Sequence, residues 1–69
     1  MFYNQQSHKL HKFAVTLTDT EYNMPLTYHV HAENKDQAKN VAIAHACREQ
    51  GIPSEQPHPF KVERVKAEQ

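Results

Sequence analysis

The chain has one glycine, Gly51, one cysteine, Cys47, and no tryptophan in 69 residues. A single glycine excludes the glycine-rich loop that cradles phosphates, which needs several backbone positions free of side chains. A single cysteine excludes an intramolecular disulfide and any Cys-x-x-Cys zinc or redox site. No apolar run approaches the length of a membrane-spanning helix. The stretch from Met1 to Thr20 lacks the apolar centre of a secretory signal. Together these absences point to a reducing, cytoplasmic setting.

Net charge is missing too. Eight basic and eight acidic residues cancel. A non-specific nucleic-acid binder usually carries a basic excess, because phosphate neutralisation supplies much of its affinity. The balance therefore ranks nucleic acid behind protein as the expected partner. Length is short as well. A chain of this size holds one domain and buries only about 60% of the surface its unfolded form exposes. It cannot enclose both a core and a deep reaction cavity, so binding at a surface is expected in place of catalysis.

What is present fits a folded domain, with 38% hydrophobic and 23% charged residues. Six histidines make the net charge turn positive as pH falls toward about 6. Met1 to Lys9 is polar apart from Phe2 and Tyr3 and shows no period. It is expected to be a flexible arm, with residues 10–69 as one domain.

Lys12 to Thr18 alternates Phe13, Val15 and Leu17 with Ala14, Thr16 and Thr18, the period of a strand. Asp19 to Pro25 holds Asp, Asn and Pro but no Gly, which predicts a loop of several residues. Leu26 to Glu33 is a second strand. Leu26, Tyr28, Val30 and Ala32 share one face, and Thr27, His29, His31 and Glu33 the other. Asn34 is a good N-cap, with Gln37 three residues on as in a capping box and Asp36 in the first turn. Ala38, Val41, Ala42, His45 and Ala46 or Cys47 form the expected buried stripe. Arg48 and Gly51 mark the helix end. Pro53 to Pro59 is a loop, and Phe60 to Lys66 a third strand.

The order gives an α+β domain, ββαβ, with a three-stranded antiparallel sheet, the first strand central and one helix on one face. The other face is open, with Ala14, Thr16, His29, His31, Lys61 and Glu63 as its expected lining. In the third strand Phe60 and Val62 keep the buried parity and Val65 breaks it, which predicts a bulge or an exit from the sheet. Arg64 shares parity with Phe60 and Val62, yet a guanidinium is rarely buried unpaired. A bulge resolves the conflict by turning Arg64 outward.

Catalytic chemistry is not expected. Ser7 and Ser54 lie in predicted loose segments, and Cys47 reads as a small buried residue. No pair of acids has a setting that would separate two pKa values. No metal or other cofactor is expected. His29 and His31 share a face and His8 and His11 are three apart, but His45 and Cys47 point away from each other. Four ligands at zinc spacings do not occur. His29 and His31 instead read as polar residues of an open binding face.

Basic residues cluster twice, as His8, Lys9, His11 and Lys12 and as Lys61, Arg64 and Lys66. On an edge strand such side chains either protect the edge from unwanted pairing or meet a partner. Arg64 and Lys66 are the expected centre of a partner-binding surface, with Lys61 beside them. Asp19 and Glu21 are the expected acidic contribution.

Three segments, Lys12 to Leu17 (KFAVTL), His31 to Ala38 (HAENKDQA) and Phe60 to Lys66 (FKVERVK), resemble the small T7-type phage proteins that inhibit host bacterial RNA polymerase. The resemblance implies a strand-strand-helix-strand fold without enzymatic activity. It implies binding to a jaw of the polymerase cleft, which hinders initiation. That family's last strand carries a Phe-x-Val-x-Arg-Val-Arg pattern, and Arg64 and Lys66 stand at its two basic positions. Three features depart from the family. The Gly51 to Pro59 loop is longer, the acidic hairpin is reduced to Asp19 and Glu21, and Lys66 replaces an arginine. The implied partner is a host protein, with another host enzyme, a defence complex or nucleic acid as alternatives. Both a monomer and a dimer fit this reading.

Overall fold

Alternation over a β-branched and aromatic stretch makes the first strand, and the computed structural model shows it as β1, His11–Asp19. The structure describes residues 9–53 and 56–68. Apart from Lys9, the expected N-terminal arm lies outside the described residues. β2 is Met24–Ala32, helix α1 is Lys35–Gln50 and β3 is Phe60–Glu68. The order is ββαβ in a three-stranded antiparallel sheet, β2-β1-β3, with β1 in the centre. Element bounds differ slightly from expectation. β1 gains a residue at each end, β2 starts at Met24 and stops at Ala32, and β3 runs on to Glu68.

The connection between β1 and β2 is a four-residue turn, Thr20 to Asn23, and not the longer loop the sequence suggested. Asn23 adopts φ 57°, a left-handed conformation that Asn tolerates better than most residues. Asp19 holds the turn together. Its Oδ1 accepts the amides of Glu21 at 2.9 Å and Tyr22 at 3.3 Å. Thr20 ties the turn to the start of β3, donating both its amide and its hydroxyl to the Pro59 carbonyl.

Both ends of α1 are closed by the residues the sequence marks. Asn34 Oδ1 accepts the Gln37 amide at 2.8 Å. The Gln37 side chain reaches back to the Glu33 amide at 2.7 Å, one residue before the cap. At the far end Gly51 sits at φ 71°, its amide donating to Arg48 and that of Ile52 to Cys47. These two bonds make a Schellman motif, whose left-handed residue is cheapest as glycine.

The helix lies on one face through Ala38, Ala42 and Ala46, all fully buried, with Cys47 beside them. Small residues four apart let its backbone come close to the sheet. Phe13, Val15, Leu17, Val30, Ala32 and Phe60 complete the core. His45 departs from the expected buried stripe. It is exposed and lies parallel to the Tyr28 ring, centroids 6.3 Å apart. Its ring flanks the stripe, where a polar edge can stay wet while the face covers an aromatic.

The bulge expected in β3 is present. Leu17 pairs with Val62, but Thr16 pairs with Arg64, so Glu63 is the extra residue. Beyond it Val65 pairs with Val15 and packs against the core. One inserted residue shifts the parity of the rest of the strand and sends Arg64 and Lys66 to the face opposite the helix.

Candidate functional site

The face opposite α1 is a grid set by the two registers. Lys12 stands between His31 and Glu68, Ala14 between His29 and Lys66, Thr16 between Thr27 and Arg64, and Thr18 between Pro25 and Lys61. Neighbours within a row are about 5 Å apart and rows about 7 Å apart. The face is about 20 Å long on the same spacing. Among the described residues it carries no Phe, Tyr or Trp, the platform on which single-stranded bases stack.

Charge is unevenly shared. Lys12, Lys61, Arg64 and Lys66 lie on this face against the acids Glu63 and Glu68. Four of the eight cations and two of the eight acids of the neutral chain are therefore here. Composition averaged this segregation away.

Both acids are engaged. Glu63 Oε2 accepts the Thr18 hydroxyl at 2.9 Å. Glu68 Oε1 lies 2.9 Å from His29 Nδ1. That hydrogen bond, reinforced by the charges of His29, Lys12 and Lys66, holds the Glu68 carboxyl below its ordinary range. Thr16 and Thr27 share a hydroxyl–hydroxyl contact of 3.3 Å across the strands. Lys12, Lys61, Arg64 and Lys66 are exposed, so their donors are open to solvent.

Five of the seven residues singled out in the sequence come together here: Lys61, Arg64, Lys66, His29 and His31. Two do not. Asp19 is 3% exposed, on the helix side by parity, with its carboxylate committed to the turn amides. Its placement as an acidic contact is corrected: it is a turn-holding residue. Glu21 is exposed in the turn beyond the grid. The N-terminal basic cluster also divides. Lys12 is on the open face, while His11 meets the edge of the Phe13 ring.

Other features were missed. Tyr22 in the turn is 67% exposed and Met24, the first residue of β2, 54%. A groove of about 540 Å³ flanks α1, with Ile43, Cys47, Ile52 and His58 in its walls. Among the described residues no three His, Cys, Asp or Glu converge on one point that could hold a metal ion. No described helix is long and apolar enough to cross a membrane. Compared with known proteins, the chain matches no family model, no curated sequence and no solved structure at a significant level.

Proposed function

We propose that this is a non-enzymatic binding protein that docks a protein partner on its open sheet face, with Arg64 and Lys66 at the centre of the contact. The observation that carries the reading is the bulge at Glu63. It turns two consecutive alternate residues of an edge strand, both cationic, onto a face that already holds Lys12 and Lys61. An open face rich in hydroxyls and exposed cations suits a partner surface of opposite charge.

The resemblance to phage inhibitors of bacterial RNA polymerase makes that enzyme the first partner to test. In that reading the chain blocks a host machine by occupying its surface. The Arg-Val-Lys stretch of β3 supports it, because both basic positions of the family's pattern fall on the open face.

Nucleic acid is the second reading, favoured by the segregation of half the cations on one face. Salt separates the two, since phosphate contacts give a steep log–log salt dependence.

The test is capture of partners from bacterial lysate on the immobilised protein, followed by binding to purified RNA polymerase. Replacing Arg64 and Lys66 together with alanine should weaken binding at least tenfold, about 1.4 kcal/mol. The fold should stay intact, because exposed substitutions usually shift stability by about 0.5 kcal/mol or less. A folded double variant that binds as tightly as the original reduces the pair to edge protection.

A further inference from the structure

The least expected contact on the open face is the one between its two edges. His29 belongs to β2 and Glu68 to β3, and β1 lies between them. Their side chains nevertheless meet at 2.9 Å. The contact runs diagonally over β1, from the Ala14 row to the Lys12 row. Ala14 makes it possible, because a methyl group leaves the space above the central strand open. The carboxylate so held has Lys12 beside it in its own row and Lys66 one row on in its own strand. One histidine thus bonds the acid, and a lysine from each of the other two strands stands near enough for its charge to act on it. A carboxylate from outside would be drawn by the same three groups.

We infer that Lys12, His29 and Lys66 form a carboxylate-binding site on the open face and that Glu68 is its built-in occupant, which an acidic side chain of a partner must displace. The inference rests on the reading of this face as a docking surface, and adds the chemistry of one subsite and its regulation. Glu68 occupies His29 and offsets the charge of the two lysines until a partner with several acids competes for them. A lone acid gains little by exchanging with Glu68. A surface that also engages Arg64 and Lys61 gains more, so the internal carboxylate selects for multiple contacts.

The groups around Glu68 keep it charged. The hydrogen bond to His29 first, then the nearby charges of His29, Lys12 and Lys66, hold its carboxyl below the usual carboxylate range. The other groups on this end of the face are His31 from β2, in the Lys12 row, and Arg64, two rows away on β3.

The experiment measures binding of a capped hexaglutamate peptide at near-physiological salt, with hexathymidylate as a second probe. Glu68→Gln keeps the side-chain shape and removes the charge. It should bind the peptide at least about threefold tighter than the original protein, in keeping with the worth of exposed ion pairs. Glu63→Gln removes a charge from the same face at the far end of the grid. At a Debye length of about 8 Å its effect should be less than half as large. Adding His29→Asn to Glu68→Gln should cancel most of the gain. Circular dichroism confirms that each variant is folded.

Equal gains from Glu63→Gln and Glu68→Gln would overturn the site in favour of long-range charge. No gain from Glu68→Gln would overturn it outright. A larger gain for hexathymidylate than for the peptide would overturn the carboxylate assignment and point to nucleic acid. If Arg64 and Lys66 matter for peptide binding and Glu68 does not, this inference fails while the docking face stands. If none of the three matters, both fail.

Discussion

The Tyr28 hydroxyl donates a 2.6 Å hydrogen bond to Glu49 Oε1, joining the edge strand β2 to the last turn of α1. Tyr28 lies on the helix side of the sheet, and His45, one turn before Glu49, covers its ring. The phenol is pushed up to about 12 by burial first, then by the hydrogen bond to Glu49, then by the Glu49 charge. A folded-state pKa above the unfolded one means that this stabilisation is complete below about pH 10 and is lost as pH rises toward about 12. Phenolate absorbance should therefore show one of the three tyrosines titrating late. In Glu49→Gln that transition should move down but stay above the ordinary value, because burial remains. An unchanged titration in Glu49→Gln would deny Glu49 its part.

Asp19 supports a second expectation. Its carboxylate is buried and accepts two turn amides. Asp19→Ala leaves both without an internal partner and should cost about 1–2 kcal/mol. In a domain of this size 1 kcal/mol shifts the melting temperature by roughly 4–8 °C. Glu21→Ala, in the same turn but exposed, should stay within about 0.5 kcal/mol of the original. Equal losses for the two would show that the Asp19 bonds do not hold the turn.

These two acids show where the sequence was legible and where it was not. Both stood in a polar connection, and both read as surface acids. Only the short turn places Asp19 at the end of β1 with its oxygen aimed at the next amides. Strand alternation, the Asn34 cap and the Gly51 stop were readable because each is fixed by local geometry. The break at Val65 was readable because parity admits few remedies. His45 was misplaced because one residue at the margin of a helical stripe can be either covered or exposed. The cationic face was hidden for another reason: it is assembled from three strands, and a neutral total says nothing about how charge is divided between faces.

Helix packing gives a third prediction. Ala42 is fully buried, whereas Ala44 on the same helix is exposed. Ala42→Leu forces three methylene-sized groups between α1 and the sheet and should cost about 1–3 kcal/mol or more. Ala44→Leu should change stability by about 0.5 kcal/mol or less. Urea midpoints with unchanged slopes would measure both. A tolerated Ala42→Leu would mean that the helix sits farther from the sheet than its alanines imply.

The bulge offers the sharpest test of the fold and of the face it exposes. Glu63 is the residue without a register partner. Its carboxylate accepts the exposed Thr18 hydroxyl. Deleting it leaves Phe60, Val62, Val65 and Ala67 on the helix side in strict alternation. Lys61, Arg64 and Lys66 then remain on the open face, opposite the same β1 partners as before. Deletion of Glu63 should thus preserve the fold, with stability within about 1 kcal/mol of the original, and should preserve partner binding. Deleting Thr16 removes one residue from the central strand, where no neighbour is spare. Every side chain of β1 on one side of the cut would exchange faces, moving either Phe13 and Val15 or Leu17 out of the core. That variant should not fold. Amide spectra and urea titrations of the two deletions decide the matter. If the Glu63 deletion unfolds like the Thr16 deletion, the bulge is not a simple insertion, and the outward placement of Arg64 and Lys66 has lost its structural basis.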